Sequence, residues 1–285
     1  MEAIKNKYEF TAIFDVENGN PNGDPDAGNM PRVDPETQHG IITDVCIKRK
    51  IRNFVEIYKE NEAGYNILIK PDRALNTKFT EAREATGTKG SKDKKDIETA
   101  RKYMCENYFD VRTFGAVMNT GDDPCGIVRG PVQIEFSKSV DPVYAQDIAI
   151  TRQAQAKEKD LAEKGEMTIG RKSIIPYGLY RVDGYVSAML AQKVTGFSEE
   201  DLELLWKAII NMFEHDRSAA RGKMCMRKLY IFKHNSPLGD APSHILFDKI
   251  CIKKKEGVSV PRSFGDYEIT VDMNMPNGVS IFEKL

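Results

Sequence analysis

Residues 8 to 55 constrain the fold more than any other stretch, because an alternating pattern stops at a segment no strand can absorb and gives way to a helical one. Tyr8, Phe10, Ala12, Phe14 and Val16 alternate with more polar neighbours, the pattern of a half-buried strand whose successive side chains face opposite ways. Asn18-Gly19-Asn20-Pro21-Asn22-Gly23-Asp24-Pro25 ends it. Glycine and asparagine tolerate left-handed backbone angles, proline lacks a donor, and the asparagine amides stay free to bond backbone or ligand. Thr43-Asp44 can then cap a helix with Val45, Ile51, Phe54 and Val55 on its apolar side and Lys48, Arg49, Lys50 and Arg52 on the other. Strand, irregular loop and basic helix in that order suit the holding of a polyanion without a pocket, since helix-start N–H groups add to side-chain charge. A solvated helix face is the plainer alternative.

Further along, residues 63–93 are charged and short of large apolar side chains, and read as an insertion, partly mobile, loosest at Thr86-Gly87-Thr88-Lys89-Gly90-Ser91-Lys92. Helical order returns with Ile97, Tyr103, Met104 and Phe109. Strands are expected over Phe114 to Met118 and Val132 to Phe136. An excursion from Asp141 to Pro176 carries one strand out near Ile148–Gln153 and one back near Met167–Lys172, a long hairpin. Leu179 to Ser187 is strand again. Ser198 with Asp201 resembles a capping box for a helix striped by Leu202, Leu205, Trp206, Ile209, Ile210 and Phe213, and Cys225 to Phe232 is a last strand. Insertions aside, the order is β-α-β-β-α-β, a ferredoxin-like α+β pattern shared by RNA-recognition domains.

Several chemistries find little support. The 42 basic and 43 acidic residues leave phosphate binding to a local stripe. Five scattered cysteines suggest reduced thiols rather than a disulfide framework or zinc site. Asn18, Asn20, Asn22 and Gly23 fall at the spacing of an EF-hand loop, but Asn18 and Asn29 stand where Asp and a bidentate Glu belong. Gly87 to Lys92 lacks the spacing of a phosphate-binding loop and reads as a flexible basic loop. His215-Asp216 reads as a dipole and solubility feature at a helix end. Asp15, Glu17, Asp24 and Asp26 could serve a metal-dependent nuclease, a minority reading. Phe114 is a core aromatic or a base-stacking one. No apolar run approaches a membrane span and the start lacks a signal-peptide core, so a cytoplasmic protein is expected.

Together, Asn20-Pro21-Asn22-Gly23-Asp24-Pro25, Asp110-Val111-Arg112-Thr113-Phe114-Gly115, Pro176-Tyr177-Gly178-Leu179-Tyr180 and His215-Asp216-Arg217-Ser218-Ala219-Ala220-Arg221-Gly222 carry a resemblance over nearly the whole chain. The chain resembles the backbone subunit of CRISPR Cascade surveillance complexes, the seventh family of CRISPR-associated proteins in the RAMP superfamily, and looks closest to its type I-C branch. The resemblance implies one modified RNA-recognition-motif domain over 1–285. Its palm would comprise about 1–62, 94–140 and 176–285, with inserted fingers at 63–93 and a projecting thumb hairpin at 141–176. It implies a non-enzymatic protein without cofactor or metal, multimerising on CRISPR RNA, with target DNA and other Cascade subunits as partners and bases left free for pairing and R-loop formation. Asn20, Asn22, Lys48, Arg49 and Arg52 would contact phosphates, with Arg221 a further phosphate candidate. Arg112 and Phe114 would lie near a kinked nucleotide, and Arg152, Gln153, Met167, Arg171 and Lys172 would act from the thumb. Type III relatives cut target RNA with an acidic loop residue, which keeps a ribonuclease as the alternative.

Overall fold

The computed structural model describes residues 2–60, 62–152 and 168–285. The chain opens on β1 (Tyr8–Gly19), and the following loop holds the two-residue strands β2 (Gly23–Asp24) and β3 (Met30–Pro31). β4 (His39–Ile42) leads into α1 (Asp44–Tyr58), then α2 (Leu75–Ala85), α3 (Lys94–Asn107) and the short α4 (Phe109–Phe114). A hairpin of β5 (Gly115–Met118) and β6 (Gly126–Arg129) precedes β7 (Val132–Ile134), β8 (Ser137–Pro142), β9 (Gln146–Arg152) and β10 (Thr168–Val186). α5 (Glu199–Asn211) and β11 (Lys223–His234) follow, and then α6 (Ser243–Phe247), β12 (Ile250–Lys254), β13 (Tyr267–Val271) and β14 (Val279–Glu283).

One large antiparallel sheet runs β14-β11-β1-β10-β8-β4, with β7 and β9 also paired to β10. β1 lies at its centre, where Phe10 faces Gly184 of β10 and Ile231 of β11. The capping signals work as their residue types dictate. Thr43 Oγ1 accepts the Cys46 N–H at the start of α1, and Ser198 with Asp201 closes a reciprocal capping box on α5. Phe10, Phe14 and Val16 of β1 pack with Ile47, Ile51 and Phe54 of α1 and Leu205, Trp206 and Ile209 of α5 as the core of one sheet face.

The opposite face is not open to water, contrary to the half-buried strand that alternation suggests. Ile13, Tyr177, Leu179 and Phe232 are covered by Leu246, Phe247, Ile250 and Tyr267 from α6, β12 and β13. Glu9, Thr11 and Asp15 of β1 are buried on this face, and each has a partner. Glu9 accepts from Ser243 Oγ and from His234, whose Nδ1 accepts the Asp240 N–H. Thr11 donates to Asp183 at 2.6 Å, and Asp15 accepts from Tyr177 at 3.2 Å and pairs with Arg227 at 2.8 Å. Burying a polar group is tolerable when its hydrogen bonds are replaced, and here they are.

Two expectations need correction. Phe114 to Met118 is not a strand of the main sheet: Phe114 ends α4, and β5 pairs with β6 in a two-stranded sheet of its own. Nor is 63–93 a loose segment. Phe79 and Ala82 of α2 share a buried core with Leu68, Met104, Val111, Cys125 and Val128, so this part of the chain folds with α3 and the β5-β6 hairpin. The sequence 86–92 is tied down as well. Asp123 accepts the Gly90 N–H at 2.8 Å and the Thr80 hydroxyl at 2.9 Å, and the buried Arg83 donates to the Ser91 carbonyl. The glycine-rich loop read as flexible and basic instead holds an internal carboxylate.

Among the described residues no helix is long and apolar enough to cross a membrane. All five cysteines are unpaired.

Candidate nucleic-acid interface

The basic residues of α1 divide between two neighbours because successive helical positions turn about 100°. On the side facing α4, Arg52 donates to Asp110 at 2.7 Å, and Asp110 also accepts the Leu68 and Ile69 N–H groups. Lys48 pairs with Asp44 at 2.8 Å, and Arg49 donates to the Ile69 carbonyl at 2.7 Å. Lys48 and Arg52 lie over the Phe114 ring, 5.7 and 5.2 Å from its centroid. Arg112 is sunk deeper: it grips Asp201 through Nε and Nη2 at 2.9 and 2.7 Å while Nη1 donates to the carbonyls of Gly64, Cys105 and Glu106.

Arg52, Arg112 and Phe114 are 8%, 5% and 7% exposed. The two guanidiniums tie α1 and α5 to 64–110, and the ring takes the core place that was one of its two expected roles, so little of these three side chains is open to an RNA strand. Lys48 and Arg49, half-buried, are likewise engaged within the protein. Arg52 and Arg112 read as polyanion ligands in sequence because their carboxylate partners, Asp110 and Asp201, lie 58 and 89 positions away.

The other side of α1 meets the loop after α5. Lys50, 1% exposed, donates to Asp216 Oδ2, and Arg221 Nε reaches the same oxygen at 2.6 Å. Asp216 is thus a partly buried ion-pair hub rather than the helix-end solubility feature its sequence context suggests, while the His215 ring packs at 5.7 Å from that of Phe54. Burial, the largest influence, lowers the pKa of Lys50, and it raises that of the neighbouring Cys46 thiol against the pull of Lys50, Arg221 and Arg32. Four cations and one thiol therefore have a single small region in common with Asp216 once Lys172 is counted: its Nζ donates to the Ala219 carbonyl at 3.3 Å.

The asparagine loop closes this edge. Asn22 Oδ1 accepts both the N–H and the hydroxyl of Thr43, at 3.0 and 3.1 Å, so it braces the start of α1. Asn20 donates through its amide to the Asn29 carbonyl, and its backbone N–H donates to Ala220. Asn18 adopts φ +50°, a left-handed backbone asparagine accepts more readily than most residues. Gly19 and Gly222 allow the loops to touch, since a Cβ on Gly19 would stand 1.9 Å from the Arg221 carbonyl oxygen.

Asn20, Asn22, Lys172 and Arg221 are thereby brought together with Lys50, Asp216 and Arg32, which sequence reasoning left out of the site. The available signal for Asp216 was its place beside Arg217 and Arg221 in a loop. Arg171 is exposed on β10 beside Lys172, opposite Ala149 of β9. The backbone of Arg152 pairs with Thr168; Gln153 and Met167 lie outside the described residues. The carboxylates of the nuclease alternative do not converge. Asp15 faces Tyr177 and Arg227 on the covered sheet face, whereas Asp24 caps the turn at 25–27 and pairs with Arg32 at 3.4 Å.

Comparison with known proteins adds a second line. A family model described as CRISPR-associated protein Cas7 matches residues 6–272. A protein of Haloferax volcanii described as CRISPR-associated protein Cas7 is 28% identical over 235 residues, covering 72% of this chain and 65% of its own length, just under two-thirds. A chain of a solved CRISPR RNA-guided surveillance complex in a pre-nicking state aligns with a TM-score of 0.51 at 15% identity, over 79% of this chain and 75% of that one. A chain of another CRISPR RNA-guided surveillance complex aligns with the same score and identity over 83% and 71%. At 15% identity these two likenesses concern the fold.

Proposed function

The chain belongs to the CRISPR-associated protein Cas7 family, and from that premise we propose that it is a non-enzymatic subunit that binds CRISPR RNA along its phosphate backbone in a type I Cascade complex. The observation that carries the reading is the convergence of 18–22, the first turns of α1, the 216–222 loop and Lys172 on one cationic edge. Such an edge holds phosphates without reading bases, which leaves sequence to be read by pairing between guide and target. The sheet face that RNA-recognition domains offer to bases is covered here by α6, β12 and β13, which also favours backbone holding over base stacking.

On this reading the strands β11-β1-β10-β7 with α1 and α5 are the ferredoxin-like palm. The fingers are the unit around α2, α3 and the β5-β6 hairpin, wider than 63–93 alone, and the β9-β10 hairpin is the thumb. Copies of the chain line up on one guide, assemble with other Cascade subunits in the cytoplasm, and leave bases free for target DNA and R-loop formation. The type I-C branch is part of the same proposal. A near-zero net charge fits a subunit that must touch its own copies, since a uniformly basic surface would repel them.

The test is size-exclusion chromatography with a CRISPR-derived RNA, read at protein and nucleic-acid wavelengths, followed by a gel of the RNA after incubation in magnesium. Large RNA-dependent assemblies containing intact RNA are expected. Arg171→Ala should weaken RNA binding and flatten its dependence on log salt by about 0.7, with the melting temperature unchanged. A protein that ignores RNA at physiological salt, or that shortens it, overturns the proposal.

A further inference from the structure

A carboxylate at the centre of a cationic edge opposes phosphate binding by repulsion, so its presence needs a physical reason. Asp216 Oδ2 receives both Lys50 and Arg221, and the two cations are not equivalent. Lys50 is 1% exposed and burial works against its charge, so it cannot leave the carboxylate without becoming an unpaired buried ammonium. The Arg221 side chain is 35% exposed and projects from a loop whose residues 217–220 face solvent. One anion and two cations leave one positive charge in surplus, and it resides on the cation that is free to move.

We propose that Asp216 is an internal stand-in for a nucleic-acid phosphate: it keeps Lys50 charged and Arg221 folded back while no strand is bound, and it yields Arg221 to a phosphate oxygen when one arrives. The inference rests on the RNA-binding reading above. The exchange is feasible because the guanidinium is solvated over about a third of its side chain, which holds its pairing with Asp216 to about fivefold in an equilibrium, whereas a guanidinium on a phosphate makes two parallel charge-assisted bonds. Lys50 and Asp216 remain behind as a neutral, partly buried pair, so no group is stranded. Lys172, which bridges from β10 to the Ala219 carbonyl, links the loop that carries Arg221 to the base of the β9-β10 hairpin, and a strand lying on this edge would meet both.

The experiment is fluorescence anisotropy with a labelled single-stranded RNA over a series of potassium chloride concentrations. Asp216→Asn removes the competitor, so binding should tighten by up to about fivefold, while the slope of log affinity against log salt stays that of wild type because Arg221 meets a phosphate in both. Adding Arg221→Ala should erase the gain and flatten the slope by about 0.7. Because Asp216→Asn leaves Lys50 buried without an anion, the paired variant Lys50→Met with Asp216→Asn carries the same test with no buried charge, and thermal melting reports whether each is folded. Unchanged or weaker binding in a folded Asp216→Asn variant, or a salt slope that Arg221→Ala does not alter, overturns the inference while wild-type binding leaves the RNA-binding reading standing. Wild-type protein that fails to bind RNA removes the reading and the inference together.

Discussion

Replacing Arg112 with alanine distinguishes a structural guanidinium from a nucleic-acid ligand, because the two roles move different observables. In the structure Arg112 holds Asp201 through two nitrogens at 2.7 and 2.9 Å and donates to three backbone carbonyls. Asp201 is 1% exposed, and apart from Arg112 it serves as the N3 residue of the α5 capping box. Truncation leaves that carboxylate buried without its cation, which costs about 3–5 kcal/mol. Against a total stability of about 5–15 kcal/mol, and with about 2–4 °C lost per kcal/mol in a protein of this size, the melting temperature should fall by roughly 6–20 °C. Removing both partners should cost less than the sum of the single changes, since the second truncation no longer strands a charge. Differential scanning fluorimetry on Arg112→Ala, Asp201→Ala and the double variant measures this, with RNA affinity determined in parallel below the transition. A melting temperature unchanged by Arg112→Ala alongside a large loss of RNA affinity would refute the buried-pair account and return Arg112 to the nucleic-acid interface.

Three further outcomes follow from the same geometry. Hydrogen bonds from His234, Lys7 and Ser243 outweigh the upward push of burial and hold the Glu9 pKa below its ordinary 4.5. The folded state therefore favours the ionised form, and its stabilisation is present above about pH 4.5 and lost as pH falls through the lowered value. Urea titrations of wild type and Glu9→Gln between pH 6 and 3 should show this increment of acid sensitivity in wild type alone; parallel curves would sink the assignment. Gly19→Ala drives a Cβ to 1.9 Å from the Arg221 carbonyl oxygen and should cost about 1–3 kcal/mol while weakening RNA binding, because the displaced loop carries Arg221; an unaffected affinity would separate that loop from the interface. Asn22→Ala strands the Thr43 N–H and hydroxyl and should cost about 1–3 kcal/mol, seen as a lower urea midpoint with no change in slope; a midpoint equal to that of wild type would show that Asn22 does not brace α1.

Local signals in the chain located its elements where one segment suffices to decide them. Thr43 before α1, Ser198 with Asp201 before α5, and the alternation of 8–16 act within a few residues, so capping and strand formation were legible without tertiary knowledge. Family membership was legible too, because the motifs around 20–25, 110–115, 176–180 and 215–222 occur in the family's order. What only the tertiary structure decided is the fate of charge. Arg52 and Arg112 find Asp110 and Asp201 through contacts spanning 58 and 89 positions, and Lys50 finds Asp216 across 166. A guanidinium looks the same in sequence whether its counter-ion is a phosphate or a distant aspartate, and only the folded chain brings that aspartate within reach. Burial of the second sheet face was hidden for the same reason: Glu9, Thr11 and Asp15 read as solvent-facing until His234, Asp183 and Arg227 arrive from β11 and β10 to satisfy them. Secondary structure is written in near neighbours, whereas the partition of these cations between core and groove depends on which carboxylates the sheet topology delivers.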